Sequence, residues 1–501
     1  MTVETRAGAR QWLGLAVLLL PTVLLFLAMT VLFLATPKIA ADLRPSAAEL
    51  LWINDVYGFM MAGLLVAMGT VGDRIGRRRV LLFGAIAFGA GSAAAAFAPN
   101  AAVLIAARAV MGVGASAIMP STLSLIGVLF EDPRQRGTAI GMWAASVSVG
   151  VAVGPLVGGL LLESFWWGAA LLAGVPVMAL VVVGAPLLVP EYRDARAGTP
   201  DLPSVALSMA ALLPFVYGVK ELARAGLTLT AVATIALGSL LAAAFVRRQL
   251  TLATPLLDVR LFRDRVFSGS LGVFMLSAIA LGGVYLLFTQ YLQLVAGLSP
   301  LEAGLWILPA ALALVAVSTL APAVARRVRP AYVVAAGTAL SVAGYLVLTQ
   351  VGSVGGLPLL ITGFYLLYPG MAPTMALTTN LVIGSAPPEK AGAASAVNTT
   401  ASDLGVSLGI AILGSVGAAV YRAQLPASAP PEAVESLAGA LGDPALEATA
   451  RAAFAGGLNV ASGVAALLAL AAVILSVTLL RRVPAAGRAS EEEAAPEPVA
   501  A

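Results

Sequence analysis

The chain contains no cysteine and no histidine, and only 11% of its 501 residues are charged. Without thiols there can be no disulfides, and without thiolates or imidazoles the usual transition-metal ligand sets are missing, so neither a metal nor a cofactor is expected. Any proton handling must rest on Asp, Glu, Lys, Arg or Tyr. Aromatic residues are also sparse, at 6%. What fills the chain is apolar: 60% hydrophobic residues and a mean hydropathy of +0.97. An ordinary soluble domain is about 45–50% apolar and about 25% charged. A multidomain soluble enzyme could not hide that much apolar surface, and disorder requires the opposite composition. Lipid must solvate most of this chain.

A spanning helix needs about 20 mostly apolar residues. Fourteen such stretches lie between residues 12 and 480. They are too long and too uniformly apolar for β-barrel strands, so the expected fold is all-α and polytopic. The first stretch exceeds a signal-peptide core and lacks a small-residue cleavage site, so it is expected to stay in the mature protein. With a cytoplasmic N-terminus, the outer loops hold Lys38, Arg44, Lys220, Arg224, Arg422 and Arg451, Arg108 lies within a span, and every other basic residue is inside. That asymmetry follows the positive-inside rule, and an even span count puts both termini in the cytoplasm. The net charge of +4 is therefore an orientation signal, and its scatter over short loops argues against nucleic acid as a partner. Trp12, Trp52, Trp166 and Trp167 fall at span ends, where interfacial anchors belong. Lys220 and Glu221 are expected to pair at the outer end of span 7.

Residues 131–154 and 386–409 match at an offset of 255, aligning Pro133 with Pro388, Gly137 with Gly392, Gly150 with Gly405 and Gly154 with Gly409. A looser match at an offset of 252 pairs residues 69–81 with 321–333. Two matches at nearly one offset suggest duplicated six-helix halves, an alternating-access architecture. The expected organisation is a short N-terminus (1–11), a first bundle (12–189), two inserted helices (203–246), a second bundle (267–480) with an outer loop at 421–454, and a disordered acidic tail (481–501).

The loop after span 2 carries Gly69, Asp73, Arg74, Gly76, Arg77 and Arg78 in the pattern Gly-x-x-x-Asp-Arg-x-Gly-Arg-Arg. Glycine permits a tight turn, and the charges can bond to helix ends and to each other. A loop that only fixes topology would not need this pattern. Here the sequence resembles the major facilitator superfamily, in which this loop is an intracellular latch. In span 5, Gly150, Gly154, Pro155, Gly158 and Gly159 form a smooth face for close helix packing. They are either generic packing residues or, by resemblance, the antiporter motif associated with proton-coupled exporters. Arg108 lies in a stretch resembling the family's fourth-helix motif, where such an Arg is implicated in proton transfer; carbonyl capping is its structural alternative.

With fourteen spans, residues 51–65, 118–126 and 288–309 narrow the resemblance to the fourteen-helix drug:proton antiporter family of bacterial plasma membranes, especially exporters of quaternary ammonium compounds and cationic dyes. Two departures matter. Family members usually carry an Asp in the first helix where this chain has Ala28, and in the thirteenth helix the Asn398-Thr399 pair leaves Asp403 as the later acid. Asp403 falls about 16 Å along its helix, near mid-bilayer, a depth suited to reversible protonation. Asp55 is a second candidate for proton exchange, and either acid could instead be structural, Asp403 by pairing with Arg108. Asn398 and Ser402 share a helix face (i, i+4), and Thr399 sits one turn before Asp403. Candidate substrate-binding walls are Ala28, Tyr57, Phe59, Trp143, Tyr285, Phe288, Gln290, Gln293, Tyr365, Tyr368, Asn398, Thr399 and Ser402, since aromatic faces attract organic cations. Taken singly, each fits packing better than ligand contact. Pro369, Gly370 and Pro373 should break span 12.

The resemblance thus implies efflux of amphipathic cationic or neutral drugs and antiseptics, driven by inward proton movement through alternating access. Fewer acids than usual disfavour dications. Its partners would be a small-molecule substrate, protons and the lipid bilayer, and the expected state is a monomer. The Ala-, Arg- and Gly-rich usage of a GC-rich bacterium admits export of an endogenous antibiotic or metabolite. A transport-deficient sensor or scaffold, or an engineered trapped variant, is a reading of another class. No phosphate-binding GxxxxGK[ST] loop is present, which disfavours ATP-driven transport, and no enzyme constellation is evident.

Overall fold

The computed structural model describes residues 7–193, 201–252, 255, 259–386 and 391–485. Thirteen helices among the described residues are long and apolar enough to cross a bilayer, and a fourteenth span is a helix pair, Ala48–Leu65 with Ala67–Ile75, bent by 53°. In chain order the spans are α1 (Ala9–Leu43), α2 (Ala47–Ile75), α3 (Arg77–Ala96), α4 (Ala101–Leu129), α5 (Pro133–Ser164), α6 (Trp167–Leu188) and α7 (Leu202–Ala225). They continue as α8 (Leu229–Thr251), α9 (Arg265–Val295), α10 (Pro300–Ala325), α11 (Pro330–Leu348), α12 (Leu357–Gly384), α13 (Ala391–Gln424) and α14 (Pro444–Leu479). The chain is an all-α, multi-pass membrane protein. Residues 486–501, most of the acidic tail, lie outside the described residues, as do residues 1–6 and the Lys220 side chain.

Local chemistry sets the ends of these helices. Ser46 with Glu49 and Ser299 with Glu302 form reciprocal capping boxes at the starts of α2 and α10. Pro330 opens α11, where a missing N–H costs nothing. The Pro369-Gly370 pair interrupts α12 at Met371, as its sequence predicts. Thr378 and Thr379 donate to the carbonyls of Thr374 (2.6 Å) and Met375 (2.8 Å), satisfying backbone beyond the break.

Packing shows two six-helix bundles, α1–α6 and α9–α14, with α7 and α8 inserted between them. The helix pairs α1/α5, α2/α4 and α3/α4 in the first bundle recur as α9/α13, α10/α12 and α11/α12 in the second. The aligned glycines explain why. A Cβ on Gly150 would meet the Val23 carbonyl at 2.5 Å, and one on Gly405 would meet Ala278 at 2.8 Å and the Met275 carbonyl at 3.1 Å. One turn on, a Cβ on Gly154 would strike Thr30, and one on Gly409 would strike the Ile279 carbonyl. In both bundles a glycine stripe on the fifth helix lets the first helix press against its backbone.

The two bundles join through α2/α13 and α5/α10. Gly58 abuts Ser407, Leu51 lies against Gly414, and Gly159 lies against the Pro300 carbonyl and Leu301. Gln293 on α9 donates to the Leu34 carbonyl on α1 (3.1 Å). These joints sit at mid-span or toward the end opposite the chain termini. At the terminal end of α5, by contrast, Gly137 and Gly141 have nothing within 4 Å. Not every tryptophan is an interfacial anchor. Trp167 is buried and donates to Asp42 (2.7 Å), and Trp12 packs edge-on against Phe130 at 5.0 Å. Both rings sit in protein seams because an indole N–H or face finds a partner there.

The inserted hairpin is held by its own glycines, Gly218 against Thr234 and Gly238 against Phe215. Its terminal end is clasped by Asp201, which accepts from Arg248 (2.8 Å), while Ser204 accepts from Arg248 (3.0 Å) and Gln249 (2.7 Å). The Arg248 hydrogen bond foremost holds the Asp201 carboxyl below the usual carboxylate range. A depressed carboxylate stabilises the fold above its ordinary titration range, and that stability is lost as pH falls through its folded value. Acidification should therefore loosen the α7–α8 clasp, read as faster hydrogen exchange around residues 201–205 and 246–251, and Arg248→Ala should remove this pH dependence. Gly154→Ala should lower the thermal midpoint by the equivalent of about 1–3 kcal/mol of overpacking, whereas Gly137→Ala, in open space, should leave it unchanged.

Candidate functional site

The buried charges meet where α2, α4 and α13 approach one another. Gly112 brings α4 against α2, since a Cβ there would meet the Tyr57 carbonyl at 2.6 Å and Met60 at 2.7 Å. One turn earlier on α4, Arg108 is 1% exposed. Its Nε donates to the Ile53 carbonyl (3.2 Å) and its guanidinium carbon lies 4.8 Å from the centre of the Tyr57 ring. Asp55 supplies an electrostatic partner from α2. A carbonyl, a ring face and a carboxylate together offset the cost of a cation at this depth, at least about 2.5–3.5 kcal/mol. The Tyr57 hydroxyl donates to the Leu25 carbonyl on α1 (3.3 Å).

Asp403 reaches the same place from the other bundle. Ser407, one turn later on α13, abuts Gly58 of α2, so the Asp403 face of α13 points at α2. Asp403 is 6% exposed, lies within electrostatic range of Tyr57, and its Oδ2 has no hydrogen-bond partner among the described residues. Asp55, Arg108 and Asp403 are thus gathered around Tyr57, at a joint between the bundles. Toward the termini on the same helix, Asn398 donates to Thr379 (2.9 Å) while its buried Oδ1 has no hydrogen-bond partner among the described residues. Thr399 and Ser402 are half-buried.

A second cluster is aromatic. Phe288 and Phe364 stack at 4.0 Å and 11°, Phe364 and Tyr368 at 4.9 Å, and Tyr285 lies 6.0 Å from both Phe364 and Tyr368. Phe33 of α1 meets Tyr285 edge-on at 5.2 Å, so the cluster bridges the two bundles. The Tyr285 hydroxyl is buried with no hydrogen-bond partner among the described residues. Sequence reasoning missed Phe33 and Phe364. The spacing of Phe364 from Tyr368, one helical turn, was the available signal.

The remaining wall candidates are dispersed. Phe59 packs with Val216 and Leu408 on the side of α2 that faces the inserted hairpin. Gln290 lines a separate recess at the end opposite the termini, beside Trp52, Tyr217 and Tyr421. Tyr365 donates to the Trp306 carbonyl on α10 (2.9 Å) and Trp143 to Thr122 on α4 (3.2 Å). Ala28 is buried, one turn from Leu25 on α1. Gly150, Gly154, Gly158 and Gly159 all serve close contacts, the first three on α1 and the last on α10, while the Pro155 carbonyl packs under Gly304.

The loop motif is knit within its own bundle. Arg77 grips Asp73 through Nε (2.7 Å) and Nη2 (2.6 Å), and its backbone N–H donates to the Tyr192 carbonyl (2.9 Å). The Arg78 backbone N–H donates to Glu191 (2.9 Å) and its side chain donates to the Val189 carbonyl (3.0 Å). Arg74 is exposed. Gly76 has φ 121°, and a Cβ there would meet the Glu191 carboxylate at 2.6 Å, so glycine is required. Gly69 is half-buried near Pro120. Glu191, which anchors two of the arginines, was not singled out from the sequence, because its role depends on α6 returning beside α3. No group of three or more metal-ligating side chains occurs among the described residues.

The two tyrosines allow a contrast. Tyr57→Phe removes a made hydrogen bond and should cost about 0.5–1.5 kcal/mol, whereas Tyr285→Phe removes a buried hydroxyl without a partner and should leave stability unchanged or raised. Thermal midpoints in one detergent check both.

Residues 18–410 match the model of the Major Facilitator Superfamily. The multidrug efflux pump LfrA of Mycolicibacterium smegmatis is 43% identical over 493 residues, covering 95% of this chain and 98% of its own. The methyl viologen resistance protein SmvA of Salmonella typhimurium is 38% identical, covering 85% and 86%. A solved bacterial homologue of the human lysosomal transporter Spinster, inward-facing and unoccupied, superposes with a TM-score of 0.69 at 17% identity, covering 95% of this chain and 99% of that one. That likeness concerns the fold. The sequence matches go further, and they establish that the chain belongs to the Major Facilitator Superfamily as a multi-pass membrane transporter.

Proposed function

We propose that this protein exports amphipathic organic compounds, cationic or neutral, across the bacterial plasma membrane, with its chain termini in the cytoplasm, in exchange for protons. The observation that carries the reading is the Asp403 carboxyl, buried at the joint of α2 and α13 with an oxygen that has no hydrogen-bond partner among the described residues, near Tyr57 and within the same cluster as Arg108 and Asp55. A carboxyl so placed exchanges a proton when the joint opens to water on either side. Substrate entering from the side of the termini displaces that proton, rocking of the bundles closes this side, and reprotonation from outside releases the substrate. Inward proton movement supplies about 2.3 kcal/mol per charge per 100 mV and about 1.4 kcal/mol per pH unit. The aromatic cluster of Tyr285, Phe288, Phe364 and Tyr368 offers faces to a planar or cationic ligand. The names of the relatives support drug efflux: a multidrug efflux pump, a methyl viologen resistance protein, and a puromycin resistance protein of Streptomyces alboniger that is 34% identical over 83% of this chain.

A second reading, export of an endogenous antibiotic, is favoured by Ala28. A buried methyl group at that place in α1 suits a neutral cargo better than a dication.

Liposome-reconstituted protein should move protons when ethidium or a neutral antibiotic is added, and Asp403→Asn should abolish that flux while leaving the protein folded. Flux that survives Asp403→Asn would transfer the proton role to Asp55. An absence of substrate-linked flux with any compound would overturn the antiport reading in favour of a transport-deficient sensor or scaffold. Ala28→Asp should strengthen export of dications over monocations, measured in the same vesicles.

A further inference from the structure

An apolar cavity of about 610 Å³ lies between the inserted hairpin and the second bundle, with Gly63 of α2 at its edge. Phe215 of α7, Gly238, Ala242 and Phe245 of α8, Met275 of α9 and Leu404 of α13 are among its walls. Small residues on α8 leave the space open: Ser239 and Ala242 stand where larger side chains would fill it. Its floor is functional backbone, because Thr400, Ala401 and Leu404 all come from the turn of α13 that carries Asp403.

The charge beside this cavity is lopsided. Between Phe245 and Arg265 the chain holds Arg247, Arg248, Arg260, Arg263 and Arg265 against Asp258 and Asp264. Phe262 lines the cavity from the short turn that leads into α9, where Arg263 and Arg265 follow it, and Arg247 lies at the same end of α8 as Phe245. Two described acids nearby are engaged. Asp264 caps α9 by accepting from the Phe267 N–H (2.8 Å), and Asp201 holds Arg248 (2.8 Å). Arg247, Arg263 and Arg265 have exposed side chains. The cap also fixes the short turn Val259–Arg263 against α9, where Phe262 meets Phe267 edge-on at 5.3 Å.

An acyl-sized apolar cavity at membrane depth with a cationic rim at one membrane face has one complementary ligand. We propose that it holds an anionic phospholipid, one acyl chain between α8 and α13 and the phosphate on Arg247, Arg263 and Arg265. A zwitterionic lipid satisfies the cavity but not the rim, and an organic cation satisfies the cavity but is repelled by the rim. The bound chain then buttresses the turn of α13 bearing Asp403 and keeps the inserted hairpin in register with the second bundle.

Native mass spectrometry of the full-length protein tests this independently of transport, so its failure and that of the efflux reading are distinguishable. Protein equilibrated with mixed phosphatidylglycerol and phosphatidylcholine should retain one phosphatidylglycerol in preference to phosphatidylcholine. Arg247→Gln, Arg263→Gln and Arg265→Gln should each weaken that preference by roughly fivefold, the effect of about 1 kcal/mol per arginine at an anionic surface. Ala242→Phe should displace the chain and lose retention of either lipid. The exposed arginine variants keep the test valid even where Ala242→Phe fails to fold. Equal retention of the two lipids by the parent protein, or an undiminished preference in the triple arginine variant, would overturn the proposal. So would displacement of the retained lipid by ethidium at the concentration that drives proton flux, since that would make the cavity a substrate site.

Discussion

A polar group left without a partner in hydrocarbon costs several kcal/mol, and that single constraint organises this molecule. It forces the backbone into helices, so the fourteen spans are one answer to one problem. It places threonine hydroxyls on carbonyls of the preceding turn, as at Thr378 and Thr379 below the break in α12. It also makes the few exceptions conspicuous. Arg108 is held by a carbonyl at its Nε, a ring face and a nearby acid, yet its Nη1, like an oxygen of Asp403 and the hydroxyl of Tyr285, has no hydrogen-bond partner among the described residues.

Because hydrocarbon removes the hydrophobic drive for helices to associate, contact has to come from close packing. The glycine stripes supply it. Gly150 and Gly154 seat α1 on α5, and Gly405 and Gly409 seat α9 on α13, so each bundle is clamped along one backbone-to-backbone seam. The joints between bundles are narrower, resting on contacts such as Gly58 with Ser407 and Gly159 with Leu301. Strong seams within bundles and slim joints between them are what rocking as rigid bodies requires. The Asp403 cluster and the aromatic cluster both lie at such joints, and both draw residues from the two bundles.

Much of this was legible in the chain. Composition and span length gave an all-helical membrane protein, the 255-residue offset named the glycines that occupy equivalent seams, and Pro369-Gly370 marked the break in α12. Asp403 could be placed at mid-helix by counting. The dispersion of the binding-wall candidates was not legible. Tyr57 and Phe59 are two residues apart and face different neighbours, Arg108 in one case and Val216 with Leu408 in the other. Tyr365 and Tyr368 are likewise split, one bonded to α10 and the other stacked on Phe364. Hydrophobic periodicity carries no information here, because a helix surrounded by lipid on one side and protein on the other is apolar all round. Trp167 misled for the same reason: an indole at a span end reads as an anchor until Asp42 is seen beside it.

The sequence by itself determined the solvent, the helical class, the number of crossings and the poverty of acid–base equipment, because each follows from composition and run length summed along the chain. It also marked the glycines of the α1/α5 and α9/α13 seams, though Gly137 and Gly141, equally glycine, sit in open space. Tertiary structure alone decided which charges meet. Asp55, Arg108 and Asp403 are separated by up to several helices in the chain, and only the seating of α4 on α2 and of α13 against α2 gathers them around Tyr57. Likewise only the return of α6 brings Glu191 to the arginines after Gly76. Electrostatic partnership depends on distance in space, and a uniformly apolar chain gives no sign of which helix faces will end up adjacent.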